Sequence, residues 1–251
     1  MKKVKKLVKK IVKKPIKKPV KRIVKKVKLI AVPKVVVNVE IPTIDYIPQD
    51  EKYWTERPLD DSHKDWNYEG SWVDGYSQSK DHPHRKLIIE ALEKLQPFNV
   101  VGEIGCNVGP NLKLIQERFG GVSTKGIDAS PIAVEKAPSY LNIELGSLTR
   151  LPWDTKNIDV LISDAVLLYV SPQEIDRVMN EIDRVTKKAV ILVERGDSSV
   201  MGEVRGHTWA RNYSVLLEKL GFKVSVKQLT KELWPGSPNW AKFGIVVSAV
   251  R

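Results

Sequence analysis

The stretch that decides the fold runs from Val100 to Leu112 and reads VVGEIGCNVGPNL. It begins as an apolar run, passes through two glycines at Gly105 and Gly109, and continues into residues that favour a helix. This order predicts a buried strand, a tight turn and the start of a helix. Because glycine has no Cβ atom, the backbone can bend sharply there and a ligand can approach it closely. We therefore expect a site for a nucleoside-bearing ligand at the carboxyl end of this strand.

The spacing of the loop residues narrows the kind of ligand. Dinucleotide-binding folds use G-x-G-x-x-G, with a helix N-terminus directed at a pyrophosphate. Here the pattern is E-x-G-x-x-x-G, Asn107 stands where the second glycine would be, and the acid Glu103 would repel a phosphate. A second signal is Asp128, which ends the next apolar stretch about twenty residues beyond the loop, as ribose recognition requires.

On these residues the chain resembles the class I S-adenosylmethionine-dependent methyltransferases, over roughly residues 82 to 251. The resemblance implies an α/β, Rossmann-like sheet of seven mostly parallel strands, with an antiparallel edge strand and helices on both faces. Residues 141–148 resemble the third strand and the loop that covers the adenine in that family, and residues 158–169 resemble the fourth strand and the turn that faces the methionine moiety and the substrate. Further predicted strands cover residues 189–194, 224–229 and 243–250. Predicted helices cover Lys86 to Leu95, with Pro83 in its first turn, Ser171 to Val185, and Leu216 to Phe222, which ends at a Gly221 cap. Where the family usually has a Pro-Gly-Gly turn, this chain has Thr186-Lys187-Lys188.

S-adenosyl-L-methionine is the cofactor that the resemblance implies. Many members of the family carry an acid, facing the adenine, where this chain has Ser147. A positive charge at Arg85 could pair with the methionine carboxylate. The only cysteine, Cys106, excludes a disulfide framework and is expected to be a small buried residue rather than a nucleophile. The implied cofactor residues are Glu103, Gly105, Cys106, Asn107, Gly109, Asn111, Asp128, Ala129, Ser147, Leu148, Asp164 and Arg85.

Methyl transfer from a sulfonium mainly requires alignment of donor and acceptor and exclusion of water. A base is needed only if the acceptor must lose a proton. The base candidates, in order, are Asp164, His207, Tyr169 and His84, and the first two are the predicted catalytic residues. Predicted substrate contacts are Tyr169, His207, Trp209, Arg211 and Tyr213, with Trp209 and Tyr213 on one face at a helix start. The same helix could equally be packed by Trp209 for structural reasons. His82 and His84 lack the further ligands of a metal site, so no metal is predicted.

The absence of certain sequence motifs narrows the class of possible methyl acceptors. Residues Ser163 to Val166 lack the prolines of amino-methylating DNA enzymes, and Cys106 does not follow a proline as in cytosine-carbon methylation. The paired-glutamate loop of arginine methyltransferases is not visible either. A small-molecule, sugar or lipid-like acceptor remains, by elimination. Two alternatives stay open: an RNA or protein acceptor delivered by a basic tail, and a cofactor-binding interaction protein without catalysis.

Charge is segregated along the chain. Residues 1–39 hold 16 Lys and Arg and no acid, which leaves 26 basic residues against all 30 acidic ones in the remainder. Regularly spaced apolar residues in this segment are interrupted by Pro15 and Pro19, which argue against one continuous helix. It can be a solvated tail, or it can bind nucleic acid or an anionic membrane surface.

The amino-acid composition divides the chain into three segments. Residues 1–39 are the basic tail, residues 40–81 are an acidic and aromatic-rich segment, and residues 82–251 are the methyltransferase domain. We call residues 40–81 the cap, because seven Tyr and Trp residues are too many for a plain linker and should pack over the cofactor and substrate, or on the sheet edge. With one cysteine and no signal peptide, a cytoplasmic location is expected.

Overall fold

Residues 50–61, 70–196, 202–203 and 208–251 are described by the computed structural model, with backbone only at 202–203. The basic tail, residues 40–49 and 62–69 of the cap, and His207 lie outside the described residues. The predictions made for them therefore stay predictions.

The described elements alternate between strand and helix through the centre of the chain. The helices are α1 Glu51–Glu56, α2 Trp72–Gln78, α3 Arg85–Leu95, α4 Pro110–Arg118, α5 Pro131–Lys136, α6 Ile175–Val185, α7 Tyr213–Lys219 and α8 Pro238–Phe243. The strands are β1 Val100–Ile104, β2 Ser123–Asp128, β3 Ile143–Leu145, β4 Ile158–Asp164, β5 Thr186–Arg195, β6 Gly202–Glu203, β7 Trp209–Ala210, β8 Lys223–Gln228 and β9 Gly244–Val250. Short 3₁₀ helices cover Ser79–Asp81 and Leu167–Tyr169.

Seven strands form one sheet in the order β3-β2-β1-β4-β5-β9-β8. The first five are parallel, β9 runs antiparallel to β5, and the edge strand β8 runs antiparallel to β9. This confirms the predicted fold class. The strand order reverses between β1 and β4, and ligands of open α/β sheets bind outside the carboxyl ends of the strands at such a point.

The central strands are apolar on both faces because helices cover the sheet from both sides. Along β5, Val190 and Leu192 join one buried cluster, and Ala189, Ile191 and Val193 join the other. Alternate residues of a strand point to opposite faces, so the two clusters are the two halves of the core. Helix α6 buries Val178, Met179, Ile182 and Val185, a helical spacing that fixes one face against the first cluster.

Several helix and strand boundaries differ from those that the sequence predicts. Helix α6 begins at Ile175 rather than Ser171, and β5 begins at Thr186 directly after it, so Thr186 to Lys188 belong to a strand and not to a turn. Pro83 precedes the helix cap His84 rather than lying in the first turn of α3. The Gly221 cap is confirmed, because its amide donates to Glu218 O, the Phe222 amide donates to Leu217 O, and Gly221 has a φ of 84°.

None of the described helices is long and apolar enough to cross a membrane.

Candidate functional site

The glycine loop between β1 and α4 requires glycine at both predicted positions. Gly105 and Gly109 have φ values of +61° and +79°, in the left-handed region. A Cβ atom on Gly105 would lie 2.5 Å from the Val166 side chain, and one on Gly109 would lie 2.6 Å from Leu141. Neither distance is possible for a real side chain, so the loop geometry depends on both glycines.

Asp128, at the end of β2, is held against this loop by backbone amides. Its Oδ2 accepts a hydrogen bond from the Asn107 amide at 2.8 Å, and its Oδ1 accepts one from the Ser130 amide at 2.8 Å. Burial raises the pKa of this carboxyl, and the same amide bonds act against that rise. Asp128 is therefore fixed at the mouth of the loop, beside Ala129, as the sequence predicted for a ribose-binding acid.

Cys106 is buried in the loop, as predicted. It is 2% exposed, and burial raises the pKa of its thiol well above the usual value. A thiol in this state is a poor nucleophile, so its role is packing beside Gly126, where an added Cβ would lie 2.6 Å from its Sγ.

Next to the loop, the ends of β1 and β4 carry two buried acids joined by one amide. Asp164 Oδ2 accepts hydrogen bonds from Arg85 Nη1 at 2.9 Å and from Asn111 Nδ2 at 3.0 Å. Asn111 Nδ2 also donates to Glu103 Oε1 at 2.6 Å, and Asn111 Oδ1 accepts from Arg85 Nη1 at 2.6 Å. Three elements, β1, β4 and α4, are thus tied to α3 by one network, which we call the acid pair network.

Each of the two acids keeps one oxygen free. Glu103 Oε2 and Asp164 Oδ1 are buried and have no hydrogen-bond partner among the described residues. A buried polar atom without a partner is costly, so a ligand donor is the expected partner. Two such oxygens on neighbouring strands fit a group with several N–H donors, such as an ammonium.

The two acids have opposite protonation tendencies. Burial raises the pKa of Glu103 to about 8, against the hydrogen bond from Asn111. Burial also acts to raise the pKa of Asp164, but the nearby His84 and Arg85 hold it well below its usual range. Asp164 is therefore ionised at neutral pH, whereas Glu103 stays largely protonated until a positive group arrives.

Arg85 is held by partners within the protein. Its Nε donates to Ser79 O at 2.9 Å, its Nη2 donates to Ser79 Oγ at 2.9 Å, and its Nη1 is shared by Asn111 and Asp164. A guanidinium engaged in this way positions Asp164, and the pairing of Arg85 with the methionine carboxylate stays a prediction. Asp164 lies 79 residues away along the chain, so no local pattern could indicate this contact.

Two histidines extend the network outwards from Asp164. His84 Nε2 lies 2.9 Å from Asp164 Oδ2, and His84 Nδ1 lies 2.5 Å from His82 Nδ1. The Trp234 ring stacks on His84 with centroids 4.3 Å apart. In the described part of the chain, no group of three or more His, Cys, Asp or Glu residues is arranged to hold a metal ion.

The described part of the cap packs on the carboxyl-terminal side of the sheet. Trp54 in α1 meets Tyr169, which follows β4, with ring centroids 5.0 Å apart. Trp72 in α2 donates from Nε1 to Pro58 O at 2.9 Å, and Arg57 lies over the Trp72 ring at 4.6 Å. Trp54 and Trp72, among the described aromatic residues of the cap, are therefore engaged in packing contacts, and a cover over the cofactor and substrate stays a prediction.

A cap acid reaches the loop predicted to cover the adenine. Ser147 Oγ donates to Glu51 Oε2 at 2.6 Å, and the neighbouring Leu148 is partly buried against the core. Glu51 comes 96 residues before Ser147, so no local pattern could have indicated this contact.

The turn after β4 is built by a buried acid that sequence reasoning missed. Glu194, at the end of β5, accepts hydrogen bonds from Ser163 Oγ at 2.7 Å and from the amides of Val166, Leu167 and Leu168. Burial raises its pKa to about 7, and these four bonds act against the rise. The available signal was an acid ending an apolar strand. Glu194 fixes the turn in which Ala165 adopts a φ of 60°.

The predicted substrate contacts divide into three groups. Tyr213 is fully buried in the core, and Arg211 donates to the carbonyl oxygens of Leu167, at 2.8 Å, and Val170. Arg211 therefore supports the turn after β4 and Tyr213 packs in the core, and the substrate contacts expected of both stay predictions. Trp209 lies in β7 and Tyr213 begins α7, so they do not share a helix face. Tyr169 remains at the site, in contact with the cap, and His207 lies outside the described residues.

Residues 102–193 match a family model whose description is a methyltransferase domain. A protein of Haemophilus influenzae, described as uncharacterized, is 23% identical over 145 residues. This match covers 53% of the present chain and 54% of that protein, so the chain spans about half the length of the relative.

Solved structures with the same fold include several methyltransferases. Magnesium protoporphyrin IX methyltransferase from Synechocystis, with bound S-adenosylhomocysteine, has a TM-score of 0.58 at 14% identity, over 80% of this chain and 97% of that one. A putative methyltransferase in complex with the Haloferax volcanii Trm112 methyltransferase activator has a TM-score of 0.55 at 17% identity, over 71% of this chain and 95% of that one. Geranyl diphosphate C-methyltransferase from Streptomyces coelicolor has a TM-score of 0.54 at 12% identity, over 66% of this chain and 75% of that one.

Proposed function

We propose that the chain is a class I S-adenosylmethionine-dependent methyltransferase that transfers a methyl group to a small-molecule, sugar or lipid-like acceptor; its match to a methyltransferase-domain model and its fold support this. The observation that carries this proposal is the aromatic contact between Trp54 of the cap and Tyr169 after β4, with centroids 5.0 Å apart. This contact supports an aromatic cover at the carboxyl ends of the strands, where the sheet order predicts the ligand. Enclosed, mostly apolar sites with a few polar groups are typical of small-molecule binding.

The residues present fit S-adenosylmethionine. Asp128 would accept hydrogen bonds from the ribose hydroxyls at the end of β2. The free oxygens Glu103 Oε2 and Asp164 Oδ1 would accept the N–H groups of the methionine ammonium. Gly105 and Gly109 would let the backbone approach the ligand. Cofactor roles for Asn107, Asn111 and Ser147 remain proposals, and Asn111 would act by holding both acids.

When bound, the cofactor supplies an activated methyl group on a sulfonium. The protein then has to align the acceptor, exclude water and, for some acceptors, remove a proton. Tyr169 and Trp54 would exclude water from the acceptor side. Asp164 is ionised and close to the ligand site, but its three donors oppose its action as a strong base.

The charge of the cap supports a small acceptor over a nucleic acid. Residues 50–61 read DEKYWTERPLDD, with five acidic and two basic residues. A phosphate backbone approaching this face would be repelled. Methyltransferases of the same fold act on magnesium protoporphyrin IX and geranyl diphosphate, which are small acceptors. A cytoplasmic location accords with the buried free thiol of Cys106.

The test is a screen of acceptors with methyl-labelled S-adenosylmethionine. Full-length protein and a variant lacking residues 1–39 are each incubated with small hydroxylated, carboxylated and amino compounds, sugars, lipid extracts and RNA. We expect the two proteins to label the same small acceptor at equal rates. Labelling of RNA by the full-length protein alone would instead assign the acceptor to the class delivered by the tail.

A further inference from the structure

Asp164, His84 and His82 are joined in sequence by hydrogen bonds, from the proposed cofactor site to a more exposed position. His84 Nε2 contacts Asp164 Oδ2 at 2.9 Å, and the two imidazoles meet through their Nδ1 atoms at 2.5 Å. His84 is 3% exposed, and His82 is the more exposed member of the pair. We call these three residues the histidine chain.

Both rings are held in place by packing and by the backbone. Trp234, between β8 and β9, stacks on His84 at 4.3 Å and contacts His82 at 4.9 Å. Trp240 stacks on Trp234 at 4.0 Å. The His82 amide donates to Ser79 O at 3.0 Å, and His84 occupies the position directly before α3. The bond between the two rings therefore does not depend on mobile side chains.

The protonation state of Asp164 decides which nitrogen atoms donate and which accept along the histidine chain. An ionised Asp164 accepts, so His84 Nε2 carries a proton. In neutral His84, Nδ1 is then an acceptor, which requires a proton on His82 Nδ1. His82 Nε2 is consequently left as a free acceptor at the outer end.

We propose that His82 is the proton acceptor in methyl transfer and that the substrate is methylated on a hydroxyl group. This rests on the proposed function. As the acceptor oxygen forms its bond to the methyl group, its proton passes to His82 Nε2. The Nδ1 proton of His82 passes to His84 Nδ1, so the added charge ends on His84, beside ionised Asp164. The methyl–sulfonium bond breaks with its electron pair on sulfur, and no oxidant or further reactant is needed.

Storing the charge on His84 rather than on His82 follows from the surroundings. His84 faces the carboxylate of Asp164, whereas burial, His84 and Arg85 together lower the pKa of His82 to about 4, against the opposing effect of Asp164. Of the other neighbours, Trp234 is uncharged. The pair can therefore hold one added proton but resists a second one near neutral pH. A hydroxyl acceptor needs such a base, whereas a thioether sulfur loses no proton on methylation and needs none.

The first experiment separates proton removal from binding. His82→Gln is compared with wild type and with Asp81→Asn, a neighbouring exposed residue outside the histidine chain. Acceptors are the hydroxylated compounds of the screen and matched compounds carrying a thioether. For His82→Gln we expect kcat on the hydroxyl acceptor to fall by about 10²-fold or more, with recovery at high pH. KM, the Kd for S-adenosylhomocysteine and thioether methylation should stay within about twofold.

The second experiment does not require an acceptor. The chain has four histidines, so the tautomers of His82 and His84 can be followed by NMR of nitrogen-15-labelled imidazoles in the full-length protein. We expect a proton on His82 Nδ1 and on His84 Nε2 at neutral pH. In His84→Gln, the pKa of His82 should rise towards its ordinary value, because a charged imidazole can no longer form beside it.

The outcomes distinguish this inference from the function on which it rests. Equal hydroxyl methylation by His82→Gln and wild type overturns the inference, as does an His82 imidazole that titrates the same way in wild type and His84→Gln. If the wild-type protein methylates thioether acceptors and no hydroxyl acceptor, the inference is overturned, but the proposed methyltransferase function stands. Absence of S-adenosylhomocysteine binding in wild type refutes the proposed function instead.

Discussion

Arg85 and Asp164 form a buried ion pair, with Nη1 2.9 Å from Oδ2 and both side chains less than a tenth exposed. The pair joins the start of α3 to the end of β4. It fixes Asp164 with one oxygen directed to partners in the protein and the other left for a ligand.

Removal of Arg85 should destabilise the fold. Breaking a buried pair leaves an uncompensated charge, which costs about 3–5 kcal/mol, so Arg85→Met should lower the free energy of unfolding by about 3 kcal/mol in urea denaturation. The exposed pair between Arg118 and Glu93 gives the control, because Arg118→Met should change the free energy by less than about 1 kcal/mol. Equal stability of the two variants would show that the buried pair contributes little.

Glu103 should make both stability and cofactor affinity depend on pH. Its pKa is raised to about 8 in the folded chain, above the 4.5 of an ordinary glutamate, so the folded state holds the proton more tightly. The contribution of Glu103 to stability is therefore present below about pH 4.5 and is lost as pH rises towards 8. Glu103→Gln removes this dependence and should raise the melting temperature relative to wild type at pH 8.

The same group should release a proton when S-adenosylmethionine binds. The methionine ammonium favours the ionised form of Glu103, so its pKa should fall on binding. Calorimetry at pH 7 in buffers of different ionisation enthalpy should show proton release in wild type and less in Glu103→Gln. A binding enthalpy independent of the buffer in wild type would contradict this position for the ammonium.

Glu51 should contribute to adenine recognition, because its carboxylate lies 2.6 Å from Ser147 Oγ in the loop predicted to cover the base. We expect Glu51→Gln to weaken S-adenosylhomocysteine binding by about fivefold. It should also improve binding of the inosine analogue, in which a carbonyl replaces the amine. Glu56→Gln, at the other end of α1, is the matched control and should bind both ligands like wild type. If Glu51→Gln and Glu56→Gln bind the two ligands with the same affinities, Glu51 does not take part in adenine recognition.

The basic tail should direct attachment to polyanions. Sixteen positive charges in residues 1–39, without an acid, should give binding to nucleic acid or anionic vesicles that falls steeply with salt, because bound phosphates release counterions. Deletion of residues 1–39 should abolish this binding and leave thermal stability and cofactor affinity nearly unchanged. Binding that survives the deletion, or a large loss of stability, would show that the tail boundary is wrong.

The sequence predicted what is local and missed what is distant. The glycine loop, the end of β2 at Asp128 and the Gly221 cap could be predicted because strand, turn and cap signals lie within a few residues of each other. The contact of Arg85 with Asp164 and the stacking of Trp234 on His84 join residues far apart in sequence, so no periodicity could indicate them. The contacts of Arg211 could not be predicted either, because a charged residue in a polar and aromatic segment suggests exposure, yet its buried guanidinium donates to carbonyl oxygens.

The central claim is that the carboxyl ends of β1, β2 and β4 bind S-adenosylmethionine with Asp128 on the ribose. Isothermal titration calorimetry of the full-length protein tests it most directly, with S-adenosylmethionine, S-adenosylhomocysteine and NAD as ligands. We expect both methionine-derived ligands to bind, NAD to bind far more weakly, and Asp128→Ala to lose affinity by at least about tenfold while the exposed control Asp154→Ala does not. Unchanged affinity in Asp128→Ala would contradict the role of that residue, and binding of NAD in preference to S-adenosylmethionine would contradict the claim itself.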